Sequence, residues 1–163
     1  MKKPVLAVIL CFFSCFCAYS QINQHAQDNK TFAFSYGAEM NMYSKKGLAF
    51  GASLGADFNL PLRFAAGVNL SISANGQGSN ILEPSAMLRY YFFNLSDQHS
   101  GIYVQADLGA SFFFEETRTA ALFLGGVRAG CRFVFGNIFY AEPYIKAGYP
   151  FLAGAGVTFG YRY

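Results

Sequence analysis

The sequence predicts an all-β fold, an eight-stranded antiparallel up-and-down β-barrel that crosses a membrane. The chain ends on a strand pattern, in which apolar or aromatic residues alternate with polar or small ones up to the last residue. Seven earlier segments show the same alternation, and their charged residues share one face. A soluble sheet that ended on such an apolar edge would invite aggregation, whereas a closed barrel has no edge.

The alternating segments begin at Thr31 and are separated by breaks. In chain order they cover 31–43, 48–60, 63–73, 83–92, 102–114, 127–135, 138–149 and the stretch after Pro150. Most of the breaks are rich in Gly, Pro, Asn and Ser, the residues that form turns. Residues 120–126 show no clear face. Pro84 and Pro143 lie inside segments, and because proline removes a ladder donor we expect a bulge or a local irregularity at each.

The charged residues indicate which face of each strand points inward. When the apolar residues of each segment are used to assign its two faces, no charged residue of a segment falls on the apolar face. The polar face carries Glu39, Asp57, Arg63, Glu83, Arg89, Asp107, Arg128, Arg132, Glu142, Lys146 and Arg162. An Arg or Lys that faces lipid at the bilayer midplane costs ~2–4 kcal/mol. Hydrocarbon also requires every backbone group to be paired, which strands achieve only by closing. The polar face is therefore predicted to line the interior.

The first residues have the features of a secretory signal. Lys2 and Lys3 precede an apolar run from Val5 to Cys17, and small residues precede the predicted cleavage site after Ser20. The run is shorter than the ~20 residues of a spanning helix. The predicted organisation is a signal peptide over 1–20, a polar periplasmic lead-in over 21–30 and the barrel over 31–163.

The cysteines leave one alternative open at the signal. Acylation of Cys15 or Cys17 would make a lipoprotein, although the residues before them match a lipid-attachment box poorly. Cleavage after Ser20 leaves Cys131 as the single cysteine, which has no thiol partner for a disulfide or a metal. We interpret Cys131 as a small apolar residue.

The chain resembles the small outer-membrane β-barrel family that includes the OmpA transmembrane domain and OmpX. The resemblance is carried by the signal peptide, the eight alternating segments, the stretch Glu142–Tyr149 and the closing Gly160–Tyr163. The resemblance covers 31–163. It implies a bacterial outer-membrane location, contact with outer-membrane lipid and lipopolysaccharide or its equivalent, and insertion by the barrel-assembly machinery. The residues that match the terminal assembly signal are Val157, Phe159, Tyr161 and Tyr163. It implies no catalytic residues, and we expect a monomer.

An even strand count places both termini at one end, expected to be periplasmic. The turns at Pro61, 94–100 and 136–137 share this end, and the other connections face outward. Aromatic residues of the apolar face gather at the periplasmic end, as in the girdles of membrane barrels. They are Phe32, Phe58, Phe64, Tyr90, Phe92, Phe135, Phe139, Tyr161 and Tyr163.

The interior of an eight-stranded barrel is just wide enough for side chains to fill, and buried charges must be paired. If Phe135 lies opposite Phe139, then Arg132 faces Glu142 and Arg128 faces Lys146. The second pair is repulsive unless an acid such as Asp107 or Glu39 lies between them. The predicted lumen charge network is Glu39, Asp57, Arg89, Asp107, Arg128, Arg132, Glu142, Lys146 and Arg162.

The network favours a structural or surface-interaction role with a side-chain-plugged lumen. One alternative is a narrow channel for ions or, as in OmpW, for small hydrophobic solutes; Phe113 and Tyr43 hint at an apolar mouth. Another is a surface adhesin that binds host factors through outward loops, with charges at Lys45-Lys46 and Glu115-Glu116.

Catalysis and cofactor binding find no support in the sequence. His25 falls in the lead-in and His99 in a periplasmic turn, so no Ser/His/acid set converges and no metal-ligand cluster forms. The net charge of +3 comes without a clustered basic face for nucleic acid. We predict no enzymatic activity, no cofactor and no metal.

Overall fold

A computed structural model shows a closed barrel of eight antiparallel strands, each hydrogen-bonded to the next and the last to the first. The structure describes residues 32–44, 46–76, 78–92, 99–115, 118–136 and 138–163. The strands are β1 Phe32–Tyr43, β2 Gly47–Asn59, β3 Phe64–Asn75, β4 Asn80–Tyr91, β5 Gly101–Phe114, β6 Thr119–Phe135, β7 Phe139–Tyr149 and β8 Phe151–Arg162. The predicted fold class is confirmed. No helix within these ranges is long and apolar enough to cross a membrane.

Two ends of the barrel are distinguished by their connections. The terminal end holds the start of β1, the end of β8 and the β2–β3, β4–β5 and β6–β7 turns; the loop end holds the other four connections. The predicted signal peptide and lead-in, with His25, Cys15 and Cys17, lie outside the described residues.

Side chains alternate between the two faces because successive Cβ atoms of a strand point to opposite sides. A row of apolar residues runs across β1 to β5 on the outside, because the register pairs each with the next. The row is Phe34, Ala56, Val68, Ala86 and Leu108. Large apolar side chains on this face are exposed, whereas the polar face is buried inside the barrel.

The closing seam joins β1 to β8. Phe32 and Tyr163 exchange backbone hydrogen bonds at the terminal end, with N–O distances of 2.8 and 3.3 Å. The register shifts near the loop end, where Met42 pairs with Ala153 but Tyr43 pairs with Phe151. The skipped residue, Leu152, is 53% exposed, whereas Phe151 is 3% exposed and turned into the lumen. Because of this bulge, the first residue of β8 points inward, whereas the later odd-numbered residues of the strand point outward.

The two internal prolines interrupt the ladders without shifting them. Pro84 pairs with Leu70 of β3, but Glu83 and Pro84 have no residue pair with β5 in the described ladders. Pro143 pairs with Val157 of β8, and the β6–β7 pairing skips the residues opposite it. The register is the same on both sides of each gap. The expected local irregularity is therefore present, and its form is a gap, not a bulge.

Three departures from the predicted strands affect the faces. Arg63 is not an inward strand residue: it lies exposed in the β2–β3 turn with φ 67° and donates to the Phe92 carbonyl at 3.1 Å. Residues 120–126 belong to β6, with Leu124 inward and Phe123 outward. Cys131 and Phe133, predicted on the apolar face, are buried, so the exposed stripe of β6 is interrupted there.

Candidate functional site: the charged lumen

Ten charged side chains are buried in the lumen, each no more than 7% exposed. The acids are Glu39, Asp57, Glu83, Asp107 and Glu142, and the bases are Arg89, Arg128, Arg132, Lys146 and Arg162. Nine of them are the residues of the predicted network, and the three clusters below join eight of these to a partner. The tenth, Glu83, lies on the polar face as predicted and is not a member of the predicted network. The five acids balance the five bases in formal charge.

The terminal-end cluster contains two arginines and two acids. Arg132 Nη2 lies 2.7 Å from Asp57 Oδ2, and its Nε donates to Glu142. Arg89 Nη1 lies 2.7 Å from Glu142 Oε1 and 3.6 Å from Asp57 Oδ2. Each guanidinium therefore contacts both carboxylates, and Thr158 Oγ1 also donates to Glu142 at 3.3 Å.

A middle cluster surrounds Asp107. Arg128 Nε lies 3.7 Å from Asp107 Oδ2, and the amides of Asn69 and Gln105 donate to Oδ1 at 3.0 and 2.7 Å. The Gln105 side-chain oxygen accepts from Arg89 Nε and Nη2 at 2.9 and 2.7 Å. This glutamine therefore joins the middle cluster to the terminal-end cluster.

The loop-side cluster is built around Glu39. Lys146 Nζ lies 3.0 and 3.1 Å from its two oxygens. The Tyr144 hydroxyl donates at 2.9 Å, the Asn41 amide at 2.7 Å, and the Ser71 hydroxyl donates as well. The expected register is confirmed, since Phe135 pairs with Phe139 and Arg128 with Lys146. The two bases do not share an acid: Arg128 contacts Asp107, and Lys146 contacts Glu39.

Three of the lumen arginines also stack on a tyrosine that lies opposite a glycine. Arg89 lies 4.0 Å from the Tyr103 ring centroid, and Arg132 and Arg128 lie 4.2 Å from the ring centroids of Tyr140 and Tyr144. The register places these tyrosines directly opposite Gly130, Gly160 and Gly156, respectively. Because these glycines carry no Cβ, the rings lie across them and reach the guanidinium groups.

An apolar mouth cluster covers the loop end of the lumen. It consists of Tyr43, Ala49, Ile81, Phe113, Leu124 and Phe151, all buried. The rings of Tyr43 and Phe113 meet edge to face, with centroids 5.7 Å apart. Above the cluster, Lys46 contacts Glu115 across two loops and lies 5.5 Å from the Phe113 ring centroid. The sequence hinted at this cluster through Phe113 and Tyr43; Phe151 could not be foreseen, because only the bulge turns it inward.

Of the two histidines considered for catalysis, His25 lies outside the described residues and His99 lies within them. His99 lies at the terminal end, where Nε2 is 2.9 and 3.1 Å from the carbonyl oxygens of Leu60 and Phe64. It lies in the β4–β5 turn, as predicted, where it is half-buried and contacts the neighbouring turn. Among the described residues, no three His, Cys, Asp or Glu side chains could together hold a metal ion.

The terminal strand places the predicted assembly residues on the outside of the barrel. Phe159 and Tyr163 are exposed, Val157 and Tyr161 are half-buried, and Arg162 between the tyrosines is buried in the lumen. Aromatic pairs surround this end of the barrel. Ring centroids lie 5.0 Å apart in Phe32/Phe58, 4.9 Å in Phe64/Tyr90, 5.2 Å in Tyr90/Phe92 and 4.8 Å in Phe139/Tyr161.

No known protein family and no curated protein matches the chain by sequence. Solved structures do match its fold. The N-terminal β-barrel domain of Pseudomonas aeruginosa OprF is 16% identical, with a TM-score of 0.57 over 85% of this chain and 100% of that domain. Neisserial surface protein A is 11% identical, with a TM-score of 0.56 over 85% of this chain and 98% of that one.

A third match is Ail, the attachment invasion locus protein of Yersinia pestis, solved in complex with the heparin analogue sucrose octasulfate. It is 11% identical, with a TM-score of 0.54 over 83% of this chain and all of Ail. At these identities the likeness concerns the fold. The predicted resemblance is confirmed at that level: this chain has the fold of the small eight-stranded outer-membrane β-barrels.

Proposed function

We propose that the protein is an integral barrel of the bacterial outer membrane, with a lumen closed by its own side chains and a structural or surface-interaction role. The observation that carries this proposal is the inside-out distribution of polarity. All ten charged residues of the described strands are buried in the lumen, and the outer face exposes large apolar side chains.

The membrane location is supported by the outer face. A water-soluble barrel would expose charges on this surface, whereas a lipid-facing one must exclude them. The aromatic pairs at the terminal end match the girdle that membrane barrels place at an interface. With the termini in the periplasm, the apolar mouth cluster lies at the outer surface.

The closed lumen is supported by the three charge clusters and the mouth cluster. Buried ions and hydrogen-bonded side chains extend from Thr158 to Tyr43 along the interior. An ion path would have to break pairs such as Arg132–Asp57, whose members are at most 5% exposed. These contacts favour a plug over a channel for ions or small hydrophobic solutes.

The proposed partners follow from the same placement. Lipid and lipopolysaccharide would cover the outer face, and the barrel-assembly machinery would engage β8. A binding role at the loop end has weaker support, since Lys46 and Arg118 both contact Glu115 and so are partly neutralised. We propose a monomer without enzymatic activity.

Outer-membrane fractionation followed by a detergent gel of boiled and unboiled samples tests the location. We expect the protein in the outer-membrane fraction, with an unboiled band that migrates differently because the closed barrel resists detergent. A band in the soluble fraction, or one that heating does not shift, would contradict the proposal.

Planar-bilayer recording of the purified protein tests the closed lumen. We expect no steady conductance above that of protein-free bilayers. The Arg128→Ala variant serves to assign any current to the lumen, because Arg128 is buried in the middle cluster. A steady wild-type conductance that changes in this variant would show that the lumen is a pore.

A further inference from the structure

Strand β6 extends beyond one of its two neighbours at the loop end. It has 17 residues, whereas β7 has 11. The β6–β7 ladder ends at Gly125 and Tyr149, but the β5–β6 ladder continues to Thr119. Residues 119–124, which we call the β6 edge, pair only with β5 in the described ladders. Their other side is therefore an open sheet edge, with backbone donors and acceptors directed away from β5.

The β6 edge lies above the hydrocarbon of the membrane. A tilted strand crosses the hydrocarbon with ~9–11 residues, so the 11 residues of β7 suffice. Unpaired backbone groups are excluded from hydrocarbon, because no group there can form hydrogen bonds with them. The β6 edge begins where β7 turns back, and so it faces water outside the cell. This placement rests on the proposed outer-membrane orientation.

The side chains of the β6 edge do not protect it from pairing. The sequence from Thr119 to Leu124 contains no charged residue and no proline, and residues 119–123 are exposed. Phe123 is 64% exposed on the outer side of the strand, and Leu122 is 38% exposed on the other side. The register with β5 is continuous, without a bulge. Native proteins blunt open edges with charges, prolines or bulges, so an edge that lacks all three is suited to accept another strand.

Neither this chain nor a second copy of it is suited to cover the β6 edge. The connections at the loop end span 44–46, 76–79, 115–118 and residue 150, and none is long enough to pair along the edge. Two copies inserted in the same direction are related by an axis along the membrane normal. Their β6 edges would run parallel at equal height, so each amide would face the same amide and donors would oppose donors. These two exclusions leave a segment of a different protein.

We propose that the β6 edge is a docking site for an extended, uncharged segment of another protein, which adds a strand to the barrel sheet through backbone hydrogen bonds. The β7–β8 turn limits this strand on the membrane side, because Tyr149 already occupies the position opposite Gly125. Side chains of the docked strand alternate between the two faces of the sheet. One set lies beside Phe123 and the other beside Leu122, so apolar side chains fit on both faces.

Binding of a strand-forming peptide to the folded barrel in detergent micelles tests this site. The probe is fluorescein-labelled Lys-Thr-Val-Thr-Val-Thr-Lys, and its matched control carries an N-methyl group on every central amide. Fluorescence anisotropy should show saturable binding of the probe and binding about tenfold weaker or less for the methylated peptide, which has lost its backbone donors. Leu122→Lys should weaken probe binding about fivefold, because a charge replaces an apolar cross-strand contact. Ser44→Lys, which adds the same charge at the loop end but off the edge, should bind the probe as the wild type does.

Amide hydrogen exchange of the wild type provides a readout that does not depend on variant folding. We expect the probe to slow the exchange of amides within residues 119–124. Equal binding of the two peptides, or exchange in this range that the probe does not change, overturns the proposal. A dimer whose amides in this range are already protected without the probe also overturns it, because a second copy would then cover the edge. A protein that fractionates with the outer membrane but fails these tests contradicts this inference alone, whereas a soluble protein contradicts the proposed function.

Discussion

At the residue scale, the lumen depends on carboxylates that each have more than one partner. Arg132 is the most buried of the lumen bases and contacts both Asp57 and Glu142. Removing one member of a buried ion pair leaves a charge without compensation, and this is far more costly than the loss of a surface pair.

Replacing Arg132 with Met should therefore lower the free energy of unfolding by about 3–5 kcal/mol, because the methionine cannot neutralise either acid. Arg118→Met is the matched control: its side chain is 76% exposed and its pair with Glu115 lies in a loop, so we expect a change near zero. Urea unfolding in lipid vesicles measures both. Equal stability of the two variants would show that the cluster contributes little.

The tyrosine–glycine pairs make a second prediction at this scale. A Cβ at position 156 would lie 2.5 Å from the Tyr144 hydroxyl oxygen and 2.7 Å from the Ala38 carbonyl oxygen. Gly156→Ala should therefore displace the Tyr144 ring and destabilise the barrel by about 1–3 kcal/mol. At Gly76, in the β3–β4 loop, a Cβ would meet nothing within 4 Å, so Gly76→Ala serves as the control. Thermal unfolding followed by circular dichroism compares the two alanine variants; unchanged melting of Gly156→Ala would contradict the packing argument.

At the element scale, the strands and most of their registers could be predicted from the sequence. A period of two identifies strand faces, and a short turn such as that at Gly136 pairs the strands on either side in one register. The Phe135–Phe139 register follows from that turn alone. The face of residues 120–126 could not be predicted, because Ala121, Leu122, Phe123 and Leu124 are all apolar and give no alternation.

The outer face of β3 provides a test of its surroundings. Val68 is 59% exposed at mid-strand, so Val68→Arg would be nearly neutral on a water-facing surface. Facing hydrocarbon, it should cost ~2–4 kcal/mol. Leu62→Arg, in the β2–β3 turn where the side chain is 80% exposed, should cost much less. Unfolding in lipid vesicles distinguishes the two, and a neutral Val68→Arg would rule out a hydrocarbon environment.

At the scale of the whole molecule, the ion pairs connect strands that are distant in sequence. Arg132 and Asp57 are 75 residues apart, and Lys146 and Glu39 are 107 apart. Such pairs depend on the shear and tilt of the closed barrel, which alternation within single strands does not determine. This is why the members of the network and the hairpin pair Arg132–Glu142 could be predicted from the sequence, whereas long-range partners such as Asp57 for Arg132 could not.

Closure itself can be tested by removing β8. A chain that ends at Pro150 would leave β1 and β7 with unpaired backbone groups in hydrocarbon, where each such group costs several kcal/mol. We expect no heat-modifiable band on a detergent gel. A flexible insertion after Gly76 should keep that band, because lengthening a loop costs little. A heat-modifiable band from the truncated chain would mean that seven strands can close.

The bulge in β8 gives this strand two different patterns of inward and outward side chains. From Ala153 to Tyr163 the odd-numbered side chains face outward, whereas Phe151 faces inward. A chimaera that took β8 from another barrel of regular register would preserve the closing seam, yet it would point residue 151 towards lipid and leave a gap beside Tyr43. Grafting experiments between barrels of this size therefore have to transfer Phe151, Leu152 and Ala153 together with Met42 and Tyr43, which pair on either side of the bulge, as a single unit of exchange.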